Sequence, residues 1–244
     1  KHLVAPTLFQ LSGPRGQPFV KVNCAALPSE LLESELFGFE KGAFTGAQKR
    51  KLGKFEYAHQ GTIFLDEIAE MSPALQAKLL QVLQDGTFSR IGGEVELKTN
   101  ARIIAASNAD LAALSDNGEF RKDLFYRLNV FPIALPSLRD RKEDIPLLIE
   151  QLLKTLNEKY AKSIQEVRPA VVAALQSYDW PGNIRELENR VKRAVIMTES
   201  LTIEPVDLGF TSVPESDEHP VDAAGQNFKI SGMKLKEARS MVEN

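Results

Sequence analysis

The run Gly61-Thr62-Ile63-Phe64-Leu65, closed by Asp66-Glu67, most limits what this chain can fold into. It shows no polar alternation, so it fits a strand buried on both faces, as in a parallel sheet covered by helices. Parallel strands need long crossover connections, and the neighbouring segments can supply them. Residues 19–22 (Phe-Val-Lys-Val) read as a second strand, Arg102 to Ala106 as a third and Val130 to Leu135 as a fourth. Ser29 to Leu36 reads as a helix, because Leu31, Leu32 and Leu36 fall near helical spacing. Ser72-Pro73 opens the clearest helix. Ser suits the N-cap, Pro suits the first helical position, and Gly86 follows the last turn. Phe120 to Asn129 reads as another helix. Strands alternating with helices define an α/β class with a parallel sheet.

The pattern changes after Arg141. Asp144 to Tyr160, Val171 to Ser177 and Ile184 to Met197 read as helices, with Asp179-Trp180-Pro181-Gly182-Asn183 as a turn before the last. The expected division is therefore an α/β part over 1–141 and a small all-helical part over 142–203. Residues 204–229, rich in Pro, Gly, Asp and Ser, read as a linker. Helical spacing returns over 230–244. Between the first helix and the apolar run, residues 38–54 hold four glycines and five lysines or arginines, so they read as a loop.

A net charge of −3 gives no global attraction to nucleic acid, so any DNA contact must be local or lie outside these residues. No run of eighteen apolar residues exists, which argues against a membrane span. Cys24 is the single cysteine. That excludes a disulfide framework, fits a cytoplasmic home and suggests a packed core residue. The chain lacks an initiator Met, and the expectation is a piece of a longer protein.

Asp66 ends an apolar strand at its C-terminal edge, where open α/β sheets bind ligands. Its carboxylate suits Mg²⁺, which takes one or two protein carboxylates plus phosphate oxygens. Glu67 follows and suits orienting an attacking water. Together they have the form of a Walker B element, although a strand ending in a solvated acidic turn has the same pattern. A phosphate loop of the form G-x-x-x-x-G-K-[ST] is absent within the chain. Asn108 follows the strand from Arg102, as a γ-phosphate sensor or as a turn cap. Arg121 and Arg127 are six residues apart on the expected helix, so they point in different directions. Each suits a separate contact to transition-state charge, or plain surface charge.

The loop Glu33-Ser34-Glu35-Leu36-Phe37-Gly38-Phe39-Glu40-Lys41-Gly42-Ala43-Phe44-Thr45-Gly46-Ala47 closely resembles the signature of bacterial sigma-54-dependent transcription activators. Residues 61–93 and 180–189 match two further signatures of that family in the right order. The resemblance covers about residues 1–203. It implies an AAA+ parallel-sheet core of the P-loop type with a small helical lid. It also implies ATP and Mg²⁺ as cofactors and a hexameric ring as the working assembly. Gly42, Ala43, Phe44, Thr45, Gly46 and Ala47 become the tip that engages the sigma-54 RNA polymerase holoenzyme. An exposed Phe flanked by Gly and Ala fits such a partner contact. Asp66 and Glu67 become the Walker B pair, Asp66 holding Mg²⁺, and Asn23 the switch residue that bonds Glu67. A strand-end Asn fits Asn23 as well. Asn108 becomes the first sensor, Arg121 and Arg127 the arginine-finger region, and Arg185 the second sensor.

Registration on the family places Lys1 at the lysine of the phosphate loop, with the glycines before it. The first helix then runs through Pro6, which inside a helix costs about 3 kcal/mol, so residues 1–12 are expected to be either distorted or the product of an imperfect reading of the gene. Phe39 stands where the family commonly has His, and little consequence is expected. Residues 234–244 resemble the lead-in to a C-terminal helix-turn-helix, through which promoter-upstream DNA would be bound. The leading expectation is an ATP-driven activator. One alternative is a piece that binds sigma-54 or self-associates without hydrolysis, for want of the phosphate loop. Another is a different AAA+ machine, which the Gly42–Ala47 motif opposes.

Overall fold

A computed structural model describes residues 4–12, 16–198 and 200–209. In chain order the elements are α1 (Val4–Ser12), β1 (Phe19–Asn23), α2 (Ser29–Phe37), β2 (Gly38–Phe39), β3 (Lys51–Leu52), α3 (Lys54–Tyr57) and β4 (Thr62–Asp66). Then come α4 (Pro73–Asp85), β5 (Thr87–Ser89), β6 (Glu96–Lys98), β7 (Arg102–Ala105), α5 (Leu111–Asp116) and α6 (Lys122–Leu128). The chain continues through α7 (Ile145–Tyr160), β8 (Glu166–Val167), α8 (Pro169–Ser177), α9 (Asn183–Met197) and β9 (Thr202–Ile203). It divides into two compact units at Leu135/Pro136.

In the first unit β1, β4 and β7 form a parallel sheet with β4 in the centre. All five residues of β4 are buried, the apolar Ile63-Phe64-Leu65 in its middle and Thr62 and Asp66 at its ends. The core beside it joins Leu32, Leu36, Phe55, Leu79 and Phe88. The rings of Phe37, Phe55 and Phe88 lie within 5.5 to 5.9 Å of one another, beneath the β2–β3 stem. Burying each such ring contributes about 1.5–3 kcal/mol.

α4 starts at Pro73 and stops at Gly86, whose left-handed backbone (φ 69°) ends the helix with its N–H on the Val82 carbonyl. Ser72 occupies the N-cap but makes no capping bond. Its hydroxyl instead accepts from the Ser29 hydroxyl at 2.7 Å, tying α4 to α2.

Three expectations change. Residues 130–135 form no strand. Pro132 has no N–H to give a ladder, and Val130, Phe131, Ile133 and Leu135 stay exposed, Phe131 at 89%. Pro6 causes no break, for α1 runs through it as a continuous helix over the described residues Val4–Ser12. Finally, 38–54 is not all loop, for it is closed by the β2–β3 ladder and ends in α3.

The second unit packs α7, α8 and α9 around Trp180, Leu187, Val191 and Ile149, all buried. A two-residue parallel pair, β8 with β9, adds to the helices. Residues 205–208, read from composition as linker, form a 3-10 turn whose Leu208 is buried in this core. Residues 210–229 and the region 230–244 lie outside the described residues.

Candidate functional site

The central strand delivers Asp66 to the C-terminal edge of the sheet, opposite Asn23 in the β1 register. Asp66 is only 4% exposed. Its carbonyl accepts the Cys24 amide at 2.9 Å, and its Oδ1 accepts the Glu67 amide at 3.1 Å. Glu67 itself is left-handed, with φ 56°, an uncommon conformation for a residue with a Cβ. The ladder resumes past it, where Ile68 donates to the Ala106 carbonyl at 3.0 Å. Such a turn at a strand end is a common place for backbone strain tied to function.

The field here is negative. The Cys24 thiol is pushed up to about 12, first by burial and then by the charges of Asp66 and Glu67. A thiol so protected is inert at neutral pH. The same field suits a hard cation on the Asp66 carboxylate. Among the described residues no group of three or more His, Cys, Asp or Glu side chains is arranged to hold a metal ion.

Asn23 Oδ1 accepts the Ala25 amide at 2.9 Å, closing the turn after β1. Asn108 lies exposed in the bend after β7, next to a turn in which the Ser107 hydroxyl accepts the Ala109 amide. Arg121 is the N-cap residue of α6, and its guanidinium is paired at the surface with Asp123, at 3.0 and 2.6 Å. Arg127 donates to the Leu83 carbonyl at 3.2 and 3.1 Å, which places it over the end of α4. Arg185 is the third residue of α9 and exposed, in the second unit. Lys1 lies outside the described residues.

The loop Gly42–Ala47 stands on the β2–β3 stem. Gly42 donates to the Ala47 carbonyl at 2.8 Å, and Ala47 to the Phe44 carbonyl at 3.0 Å, so the tip is a closed turn. Gly42 (φ 86°) and Gly46 (φ 104°) take backbone conformations that L side chains rarely adopt, although space for a Cβ exists at both. Thr45 is exposed and Phe44 is 46% exposed. Phe44 is not free of the stem, because its ring meets that of Phe39 edge-on at 4.9 Å. Phe39, the last residue of β2, thus packs directly against the tip aromatic.

Sequence reasoning also missed what braces the tip. Arg90, after β5, donates through Nη1 to Glu40 at 2.6 Å and through Nε and Nη2 to both oxygens of Glu56, at 2.9 and 2.5 Å. The Arg90 side chain is nine-tenths buried. Burial works against the charged form of Glu56. The bonds from Arg90 and from the Gly53 amide outweigh it and hold the carboxyl below its ordinary range. Gly92 comes so close to Ala43 that a Cβ there would lie 2.8 Å from the Ala43 Cβ. The segment Arg90–Gly93 is thus fastened to the side of the loop. Glu40 and Glu56 lie 50 and 34 residues from Arg90, and no local spacing signals such a partnership.

Residues 1–134 match the sigma-54 interaction domain family, and residues 139–224 match the AAA+ ATPase lid domain. The chain is 48% identical over its whole length to the regulatory protein AtoC of Escherichia coli, of which it spans 52%. It is 50% identical over 99% of its length to a Nif-specific regulatory protein of Azotobacter vinelandii, of which it spans 46%. The chain thus spans about half the length of these curated relatives. Among solved structures, NtrX from Brucella abortus in complex with ADP is 37% identical, with a TM-score of 0.79 over 99% of this chain and 52% of that one. NtrX in complex with ATP gives a TM-score of 0.77 at 38% identity, over 85% of this chain and 48% of that one. The fold is that of an AAA+ domain, a parallel-sheet α/β core followed by a helical lid. The chain belongs to the sigma-54 interaction domain family.

Proposed function

We propose that this chain is the ATP-driven motor of a sigma-54-dependent transcription activator. The observation that carries the reading is the placement of Asp66-Glu67 at the end of the central strand of the unit that also presents Gly42–Ala47. Asp66 holds Mg²⁺, which neutralises phosphate charge when bound. Glu67 takes the proton of the attacking water, and Asn23 is the switch beside it. Lys1, Asn108 and Arg185 contact nucleotide, and Arg121 and Arg127 reach the nucleotide of a neighbouring copy. Hydrolysis then needs an oligomer, for which we infer a hexameric ring in the cytoplasm. Phe44 and Thr45 meet sigma-54 RNA polymerase. DNA upstream of the promoter is bound by a helix-turn-helix beyond residue 230.

The existence of NtrX structures with ADP and with ATP supports the motor over a purely binding role. The test is Thr45→Ala in the full-length protein. ATP turnover should persist while transcription activation is lost. Activation that survives the substitution removes the assignment of the tip.

A further inference from the structure

Gln76 is the most deeply buried side-chain amide in the first unit among the described residues, 1% exposed on the inward face of α4 beside Leu75, Leu79 and Leu80. A leucine would serve this helix face as well, and burying an amide costs free energy unless every bond is made. Here they are made. Nε2 donates to the Met71 carbonyl at 2.9 Å and to the Glu119 carbonyl at 3.4 Å, and Oε1 accepts the Arg121 amide at 2.9 Å.

These partners belong to two separate segments. Met71 caps the 3-10 turn Ile68–Glu70 that follows Asp66-Glu67. Glu119 and Arg121 flank Phe120, which is itself buried in the core. The backbone at Arg121 is therefore held on one side by the Phe120 ring and on the other by the Gln76 carbonyl oxygen. Its side chain, by contrast, is held among the described residues by surface Asp123. Exposed ion pairs of that kind contribute little, so the backbone anchor decides where the guanidinium starts from.

We propose that Gln76 is a positioning residue for Arg121, setting the arginine that acts on a neighbouring copy's nucleotide. The assignment rests on the reading of Arg121 as a contact made between copies. Gln76 touches no nucleotide. Its effect is on kcat and is felt in the site of the adjacent copy, because displacing a catalytic group by about 1 Å costs roughly a hundredfold in rate.

The experiment uses the full-length protein and mixed oligomers. Gln76→Met removes all three bonds at similar volume, and it should lower kcat about a hundredfold with little change in the KM for ATP. Gln76→Glu, protonated in this buried setting, still accepts the Arg121 amide and donates to Met71, and should retain turnover. Thermal unfolding of each variant monitors the fold. Gln76→Met is then mixed with Glu67→Gln, which has a dead site of its own and an intact Arg121. Recovery of turnover in the mixture shows that the Gln76→Met copies lack only what their neighbours can supply. Arg121→Ala mixed with Glu67→Gln serves as the reference. If Arg121→Ala recovers and Gln76→Met does not, Gln76 acts on its own site or on the fold, and the proposal is overturned. If Arg121→Ala itself fails to recover, the reading of Arg121 is wrong and the positioning role falls with it.

Discussion

The ring of Phe44 meets the ring of Phe39 edge-on, with centroids 4.9 Å apart and planes at 63°. The tip aromatic is thus pre-packed on its own stem while leaving half its surface open. Pre-ordering a contact residue lowers the entropy lost on binding. Phe39→Ala should leave ATP turnover intact and weaken sigma-54 binding by about two- to tenfold, matching a ring contact of about 0.5–1.5 kcal/mol. An affinity titration measures this. Tighter binding would mean that Phe39 competes with the partner instead.

The bridge from Arg90 to Glu56 gives a pH dependence of defined sign. The folded carboxyl of Glu56 is held below its ordinary value of 4.5. Its stabilisation is therefore complete above 4.5 and is lost as pH falls through the lowered folded value. Melting temperatures of the parent and of Glu56→Gln should differ near neutrality and converge on acidification. A difference that stays constant into acid contradicts the linkage.

Glu67→Gln keeps the size of the side chain and removes the base. Nucleotide binding should remain, while turnover falls by about two to four orders of magnitude. Isothermal titration and a phosphate-release assay separate the two effects, and equal losses in both would point to a binding role for Glu67.

In the second unit Asn183 combines a left-handed backbone, φ 53°, with a side-chain oxygen that accepts the Leu138 amide at 2.7 Å. Glycine satisfies only the first demand, and aspartate satisfies both. Asn183→Gly should lower stability by about 1–3 kcal/mol, the cost of a stranded amide, and Asn183→Asp should not. Urea unfolding checks it. Equal stability of the two variants would show that the bond to Leu138 is idle.

The sequence carried the features that depend on local periodicity. β4 is legible because a strand buried on both faces must be apolar throughout, and α4 because its Pro and Gly mark both ends. Val130–Leu135 misled for the same reason, since apolar content signals burial and carries no information about whether a neighbouring strand is there to pair with. The β2–β3 stem, two residues per strand, is too short for any period to register. Asp66-Glu67 and Gly42–Ala47 were found through contiguous motifs. Arg90 and Gln76 were not, because their partners are brought together only by tertiary folding.

One junction has a mechanical consequence. α2 ends at Phe37 and β2 begins at Gly38, with no residue between them. Gly38 in turn lies so close to the backbone of Lys51 and Gly53 that even a methyl group could not be inserted. No residue of slack therefore separates the helix from the stem. A nine-residue helix is a strut of about 13 Å. Any displacement of its Pro28 end would therefore meet, at the stem that carries Phe44 and Thr45, a junction with no free residue to absorb it.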